Sequence, residues 1–177
     1  MKNREKEKDT RRNILLIILI LLLMITIGIS IWALFFREDK IILAPDYAPK
    51  DTEENAETIP GDSGDKLPQE EGGGAVSLIY SKEATIDLSE NTAKLLFGNP
   101  QKSNQNMLVQ IVIHDTVILQ SGLITPGHQV TKLELFDNVK LSPGIYEGKL
   151  AVYYYQPDTG EKAMVNTDIV LNITVQE

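Results

Sequence analysis

Two histidines and no cysteine are all that this 177-residue chain offers for imidazole or thiol chemistry. His114 precedes Asp115 at a turn and His128 follows Pro126-Gly127 in another. Neither stands at a metal-ligand spacing from the other or from a group of acids, so both read as turn residues rather than ligands. Asp87, Glu90, Asp115, Asp137 and Asp158 lie at separate turns. Converged, they would hold calcium or flank a scissile bond; spacing in sequence does not show whether they converge, and scattered acids ordinarily solvate a surface. Ser121 before Gly122 reads as turn chemistry, since no G-x-S-x-G, H-E-x-x-H, P-loop or dinucleotide glycine pattern occurs. The expectation is a protein that is not an enzyme and uses no cofactor or metal.

Binding chemistry is better represented. Tyr153 and Tyr155 share an outward face if Tyr154 points inward, and the loop Asn99-Pro-Gln-Lys-Ser-Asn104-Gln-Asn106 is rich in side-chain amides. Together Tyr153, Tyr155, Asn99, Asn104 and Asn106 would form a polar-aromatic contact patch for a protein or glycan. The competing reading is structural: tyrosines pair across strands, and amide-rich loops are ordinary turns. The last strand would accept a partner strand if it lay at a sheet edge, although its alternation fits a central position equally.

The elements that must position these groups are strands. From Val76 onward the hydrophobic period becomes two, the signature of half-buried strands. Odd positions from Ala163 to Val175 are mostly apolar, as are Met107, Val109, Ile111 and Ile113; Tyr146 to Tyr154 alternates through Gly148, Leu150 and Val152, and Thr131, Leu133 and Leu135 form a shorter inward row. Segments 76–80, 84–88, 93–97 and 116–120 bring the total to seven or eight strands, separated by Asn-Pro, Ser-Gly, Pro-Gly and Pro-Asp-Thr-Gly turns. The expected fold is all-β, an antiparallel β-sandwich over 76–177 whose single core must hold without disulfides.

Ahead of it, residues 13–36 carry no charge and are apolar almost throughout, which predicts a single transmembrane helix. The run is too long, and leaves through residues too bulky, for a cleaved signal peptide. Residues 1–12 carry net +3, residues 37–75 net −7 and residues 76–177 net −4, within a total of −8. The basic tail places 1–12 in the cytoplasm and the rest outside the cell membrane, while the acidic exterior argues against nucleic acid. Residues 37–75, dense in Pro, Gly and acids, read as a disordered linker whose Gly72-Gly73-Gly74 is a hinge.

The run Leu141-Ser-Pro-Gly-Ile-Tyr146-Glu-Gly-Lys-Leu-Ala-Val-Tyr-Tyr-Tyr155 resembles the corner of bacterial immunoglobulin-like domains, and Leu96-Phe-Gly-Asn-Pro100 is similar to the Asn-Pro loop between two of their strands. The resemblance covers about 100 residues and implies an immunoglobulin-like sandwich with a habit of binding, in which the Tyr146 hydroxyl returns to the corner backbone. The Cys and Trp core of antibody domains is missing. On this reading Tyr146→Phe costs about 1–3 kcal/mol and the exposed Tyr155→Phe no more than about 0.5 kcal/mol. The expected function is a membrane-tethered interaction module with an envelope protein or glycan partner. The alternative is a structural or accessory subunit of an envelope-spanning assembly such as a pilus, secretion or conjugation machine.

Overall fold

The computed structural model describes residues 14–29, 44–69, 73–137 and 139–177. The chain divides into two compact units, Met1–Lys40 and Ile41–Glu177. In the first, residues 14–29 form helix α1, apolar on every side. Among the described residues no helix is long and apolar enough to cross a membrane. Its sixteen residues span roughly 24 Å, short of a hydrocarbon core of about 30 Å. Residues 13 and 30–36 of the expected span, and the basic tail 1–12, lie outside the described residues.

The second unit is mostly β. Its strands are β1 (Glu57–Thr58), β2 (Ile79–Tyr80), β3 (Glu83–Asp87), β4 (Thr92–Asn99), β5 (Asn106–Ile113), β6 (Thr116–Gln120), β7 (His128–Glu134), β8 (Gly144–Tyr155) and β9 (Lys162–Gln176). All eight expected strand regions are present, and β1 adds a ninth. They form one sheet in the order β1-β7-β4-β3-β9-β8-β5-β6, with β2 paired to β4. The sheet curls so that Ile86, Phe97, Val130 and Leu133 from one half share a core with Met107, Ile111, Leu150, Leu171 and Ile173 from the other. Met107, Val109, Ile111 and Ile113 enter this core as expected, while Leu108 between them faces the other way. In β9 the expected row holds for Ile169, Leu171, Ile173 and Val175 but not for Val165, which is exposed where the β8–β9 register shifts.

Three expectations are corrected. The sheet is not wholly antiparallel: β3 runs parallel to β9, pairing Glu83 to Asp87 with Asn172 to Gln176. Alternation encodes which face a residue occupies and not which way its neighbour runs, and these two strands, far apart in sequence, need no hairpin between them. Thr131 is exposed and Val130 takes the inward position, because the β4–β7 register slips between Lys94 and Phe97 and the parity of β7 changes there.

The third correction concerns the linker, of which 44–69 and 73–75 are ordered against the domain. β1 pairs with β7, Tyr47 bridges Glu161 and Thr52 bridges Leu123. The Ala48 N–H donates to Gly160 at 2.7 Å, the Ile59 N–H to Gly127 at 2.9 Å and the Leu67 N–H to Lys102 at 2.8 Å. Ala44 and Ile59 are buried. Gly74, expected in a hinge, instead lies over Gln105, whose amide nitrogen would stand 2.8 Å from any added Cβ. Composition measures the apolar surface a segment can bury by itself; here the backbone partners and the apolar floor come from the domain.

Gly122 is a point of close backbone approach in this docking. It donates to Glu53 Oε2 at 2.7 Å, and a Cβ on it would stand 2.7 Å from the Glu53 backbone nitrogen. Gly122→Ala is therefore expected to detach the segment around Asp51–Glu53 and speed tryptic cleavage after Lys50 by tenfold or more, with the β-type circular dichroism retained. Unchanged cleavage would mean that the segment is not held there.

Candidate interaction site

One end of the sheet gathers the loops that follow β4, precede β7 and follow β8. Asn99 organises it from inside: fully buried, it donates through Nδ2 to the carbonyls of Gln105 and Ile124, both at 2.9 Å, and its backbone carbonyl accepts from the Gly127 N–H, while its buried Oδ1 has no partner among the described residues. Asn104 ties in the N-terminal segment, its Oδ1 accepting from the Ala75 N–H at 2.7 Å and its Nδ2 donating to Leu67 at 3.3 Å. Ser103 does the same for Ser77. These bonds give the loop end a fixed backbone, as buried polar groups require.

On this frame lies an open cleft of about 470 Å³, lined by Lys66, Gln69, Gln101, Asn104, Asn106, Pro126, Gln156, Pro157 and Asp158. Gln69, Gln101 and Asn106 make no side-chain hydrogen bond among the described residues. Gln156 accepts through Oε1 from the buried Gln105 at 3.2 Å, which leaves its Nε2 available. Lys66 donates to Ser103 at 2.6 Å. The cleft thus presents several donor-acceptor amides, with one cation already engaged and one carboxylate. A smaller hollow of about 260 Å³ beside Glu53 and Gly122 is occupied with local bonding.

The five residues singled out from the sequence do not form one exposed patch. Asn104 and Asn106 line the cleft, Asn99 lies beneath it, and Tyr153 and Tyr155 are buried. The tyrosines do face outward from the core side, as alternation requires, but residues 44–48 cover them. With Leu108, Ala151 and Ala44 they form a second small hydrophobic cluster, and the Tyr155 hydroxyl donates to the Pro45 carbonyl at 2.9 Å. Lys162 fastens the cover by donating from its backbone to Asp46 and from Nζ to Ala44. Gln101 belongs to the amide-rich loop read from the sequence, though it was not singled out within it, and Gln156 was missed; its position beside Pro157 in a turn was the signal that could have found it.

The corner residue behaves as the resemblance implies, with the Tyr146 hydroxyl donating to the Ser142 carbonyl at 2.9 Å, although that bond is exposed. His114 and Asp115, both with positive φ, form the two-residue turn of the β5–β6 hairpin, and the His114 ring meets Tyr146 edge-on. His128 begins β7 instead of sitting in the turn, its Nδ1 3.0 Å from Thr125 Oγ1. Ser121 Oγ accepts from the Val109 N–H and donates to Gly122. Asp87 Oδ1 accepts from the Ser89 hydroxyl and the Glu90 and Ser89 N–H groups, which hold its carboxyl below the usual range. Among the described residues no three of His, Asp and Glu come together to hold a metal ion.

Burial raises the hydroxyls of Tyr153 and Tyr154, and pushes Tyr155 up to about 12. A phenol held neutral in the fold but free to ionise when unfolded contributes stability that is complete below about pH 10 and lost as pH climbs toward 12. Stability to urea should fall over that interval, and less steeply in Tyr155→Phe. At neutral pH the order expected from the sequence reverses: Tyr155→Phe costs about 1–2 kcal/mol because it strands a covered backbone carbonyl, and Tyr146→Phe about 0.5–1 kcal/mol because water replaces its bond. A larger loss at Tyr146 than at Tyr155 would contradict the covering role of 44–48.

The chain matches no protein-family model and no curated protein. Among solved structures it is similar to AggA, the major subunit of aggregative adherence fimbriae type I from Escherichia coli, at 12% identity and a TM-score of 0.25, over 63% of this chain and 99% of that one. A likeness this low bears on neither activity nor partners.

Proposed function

We propose that the chain is a non-enzymatic, single-pass membrane-anchored module whose extracytoplasmic immunoglobulin-like sandwich binds a protein or glycan partner in the cell envelope. The observation that carries this reading is the set of uncommitted amides on a fixed loop end. Rigid β scaffolds commonly present binding groups on their loops, and here the loops are braced from beneath by Asn99 and Asn104. The anchor is supported by α1: a helix apolar on every side needs an apolar surrounding, and the charge-free run continues beyond it in sequence to Phe36. The basic tail favours a cytoplasmic N-terminus. Docking of 44–69 means that this stretch adds no reach to a tether.

A second reading, an accessory or structural subunit of an envelope assembly, draws on β9. Between Lys162, which meets Asp46, and Asn172, which meets Lys82, no described strand pairs with the side of β9 away from β8. Met164 and Val165 are strongly exposed within the bulge of that strand. Bulges guard open edges, yet exposed apolar groups there also suit a neighbouring subunit.

A photo-crosslinking residue at Gln101, and another at Met164, in intact cells separates the two. The binding module gives adducts from Gln101, whereas the assembly subunit gives discrete membrane-protein adducts from Met164. Protease added to protoplasts is expected to degrade the β domain; a fully protected domain would remove the extracytoplasmic placement.

A further inference from the structure

We infer that the cleft formed by Gln101, Asn106 and Gln156 is a binding site for a neutral oligosaccharide. The inference rests on the interaction-module reading and names its ligand class. Gln101 and Asn106 each offer a donor and an acceptor side by side, the arrangement that meets vicinal hydroxyl or acetamido groups, whose own oxygens both donate and accept, and Gln156 adds its Nε2 donor. The cleft's volume of about 470 Å³ lies within the range of about 300–1,000 Å³ typical of small-ligand sites.

Charge selects against anionic ligands. Lys66 is engaged with the Ser103 carbonyl, Asp158 stands on the same rim, and the whole chain carries −8. An anionic polymer would meet one committed cation and a like charge. A peptide would ordinarily require either an open strand edge or an apolar slot. The cleft is lined chiefly by loop residues and contains no aromatic or aliphatic side chain beyond Pro126 and Pro157.

The site is also supported from beneath. Gln105, 1% exposed, lies locked below Gly74 and holds Gln156 Oε1, so the orientation of the Gln156 amide is fixed before a ligand arrives. Pro126 and Pro157 hold the two flanking turns and give small apolar faces against which the C–H side of a sugar ring can rest. Gln156, held in this way, loses little freedom on binding, which matters for weak ligands of this kind.

The test uses the full chain in zwitterionic micelles, with the side-chain amide signals of Asn and Gln followed by two-dimensional NMR during titration. The probes are chitotetraose and maltotetraose, with tetragalacturonate and a neutral tetrapeptide for comparison. Saturable shifts at Gln101, Asn106 and Gln156 with a neutral sugar are expected, with the dissociation constant raised at least tenfold in Gln101→Ala/Asn106→Ala and unchanged in Asn166→Ala on β9. Binding of tetragalacturonate or the peptide alone, or sugar binding indifferent to the double substitution, overturns the inference. If no probe binds while a crosslinker at Gln101 still captures an envelope protein, the oligosaccharide falls and the interaction module stands. If neither occurs, both fall.

Discussion

The domain depends on a seam five residues long. Parallel pairing of Glu83–Asp87 with Asn172–Gln176 joins β1-β7-β4-β3 to β9-β8-β5-β6, and without it the two halves would present separate apolar faces to water. The seam is reinforced from both strands. Ile86 and Ile173 are completely buried at it, Asn172 donates through its backbone to Lys82, and its side-chain amide reaches Glu83 at 2.9 Å. A shared core then follows, because residues such as Phe97 and Leu150 lose contact with water only when the sheet curls upon itself.

Closure of the sheet determines where polar groups can be placed. With the strands fixed, the loops around 100–105, 124–127 and 156–161 are brought to one end, and Asn99 becomes a buried bracket among them. That position costs desolvation, which the two bonds donated by Nδ2 offset in part, since the buried Oδ1 has no partner among the described residues. Gln105 and Gln156 repeat the pattern one layer outward. Of the amides that face the cleft, Gln156 is held by the buried Gln105, while Gln101 and Asn106 stand on loop and strand backbone braced by Asn99 and Asn104.

The N-terminal stretch of the unit is governed by the same constraint. The outward face of β5 and β8 carries Leu108, Ala151, Tyr153 and Tyr155, an apolar surface that residues 44–48 cover while their backbone bonds to Gly160 and Asp46 meets Lys162. Neither partner is ordered by its own composition. Acidic, proline-rich chain gains order because the sheet supplies hydrogen-bond partners, and the tyrosines lose exposure because the chain is there.

Much of the domain was legible in the sequence because a strand's period of two is a local property. All eight strand regions, the inward row of β5 and the Tyr146 corner follow from residues within a few positions of one another. The His114-Asp115 hairpin turn is legible for the same reason. Strand direction, the shift of parity that puts Val130 and not Thr131 inside, and the covering of Tyr155 by a carbonyl 110 residues away required the tertiary structure. So did the cleft, whose amides come from loops that the sequence separates by more than fifty positions, such as Gln101 and Gln156. Local spacing determines which face of a strand a side chain occupies; what that face meets depends on closure of the whole sheet, and no local pattern encodes it.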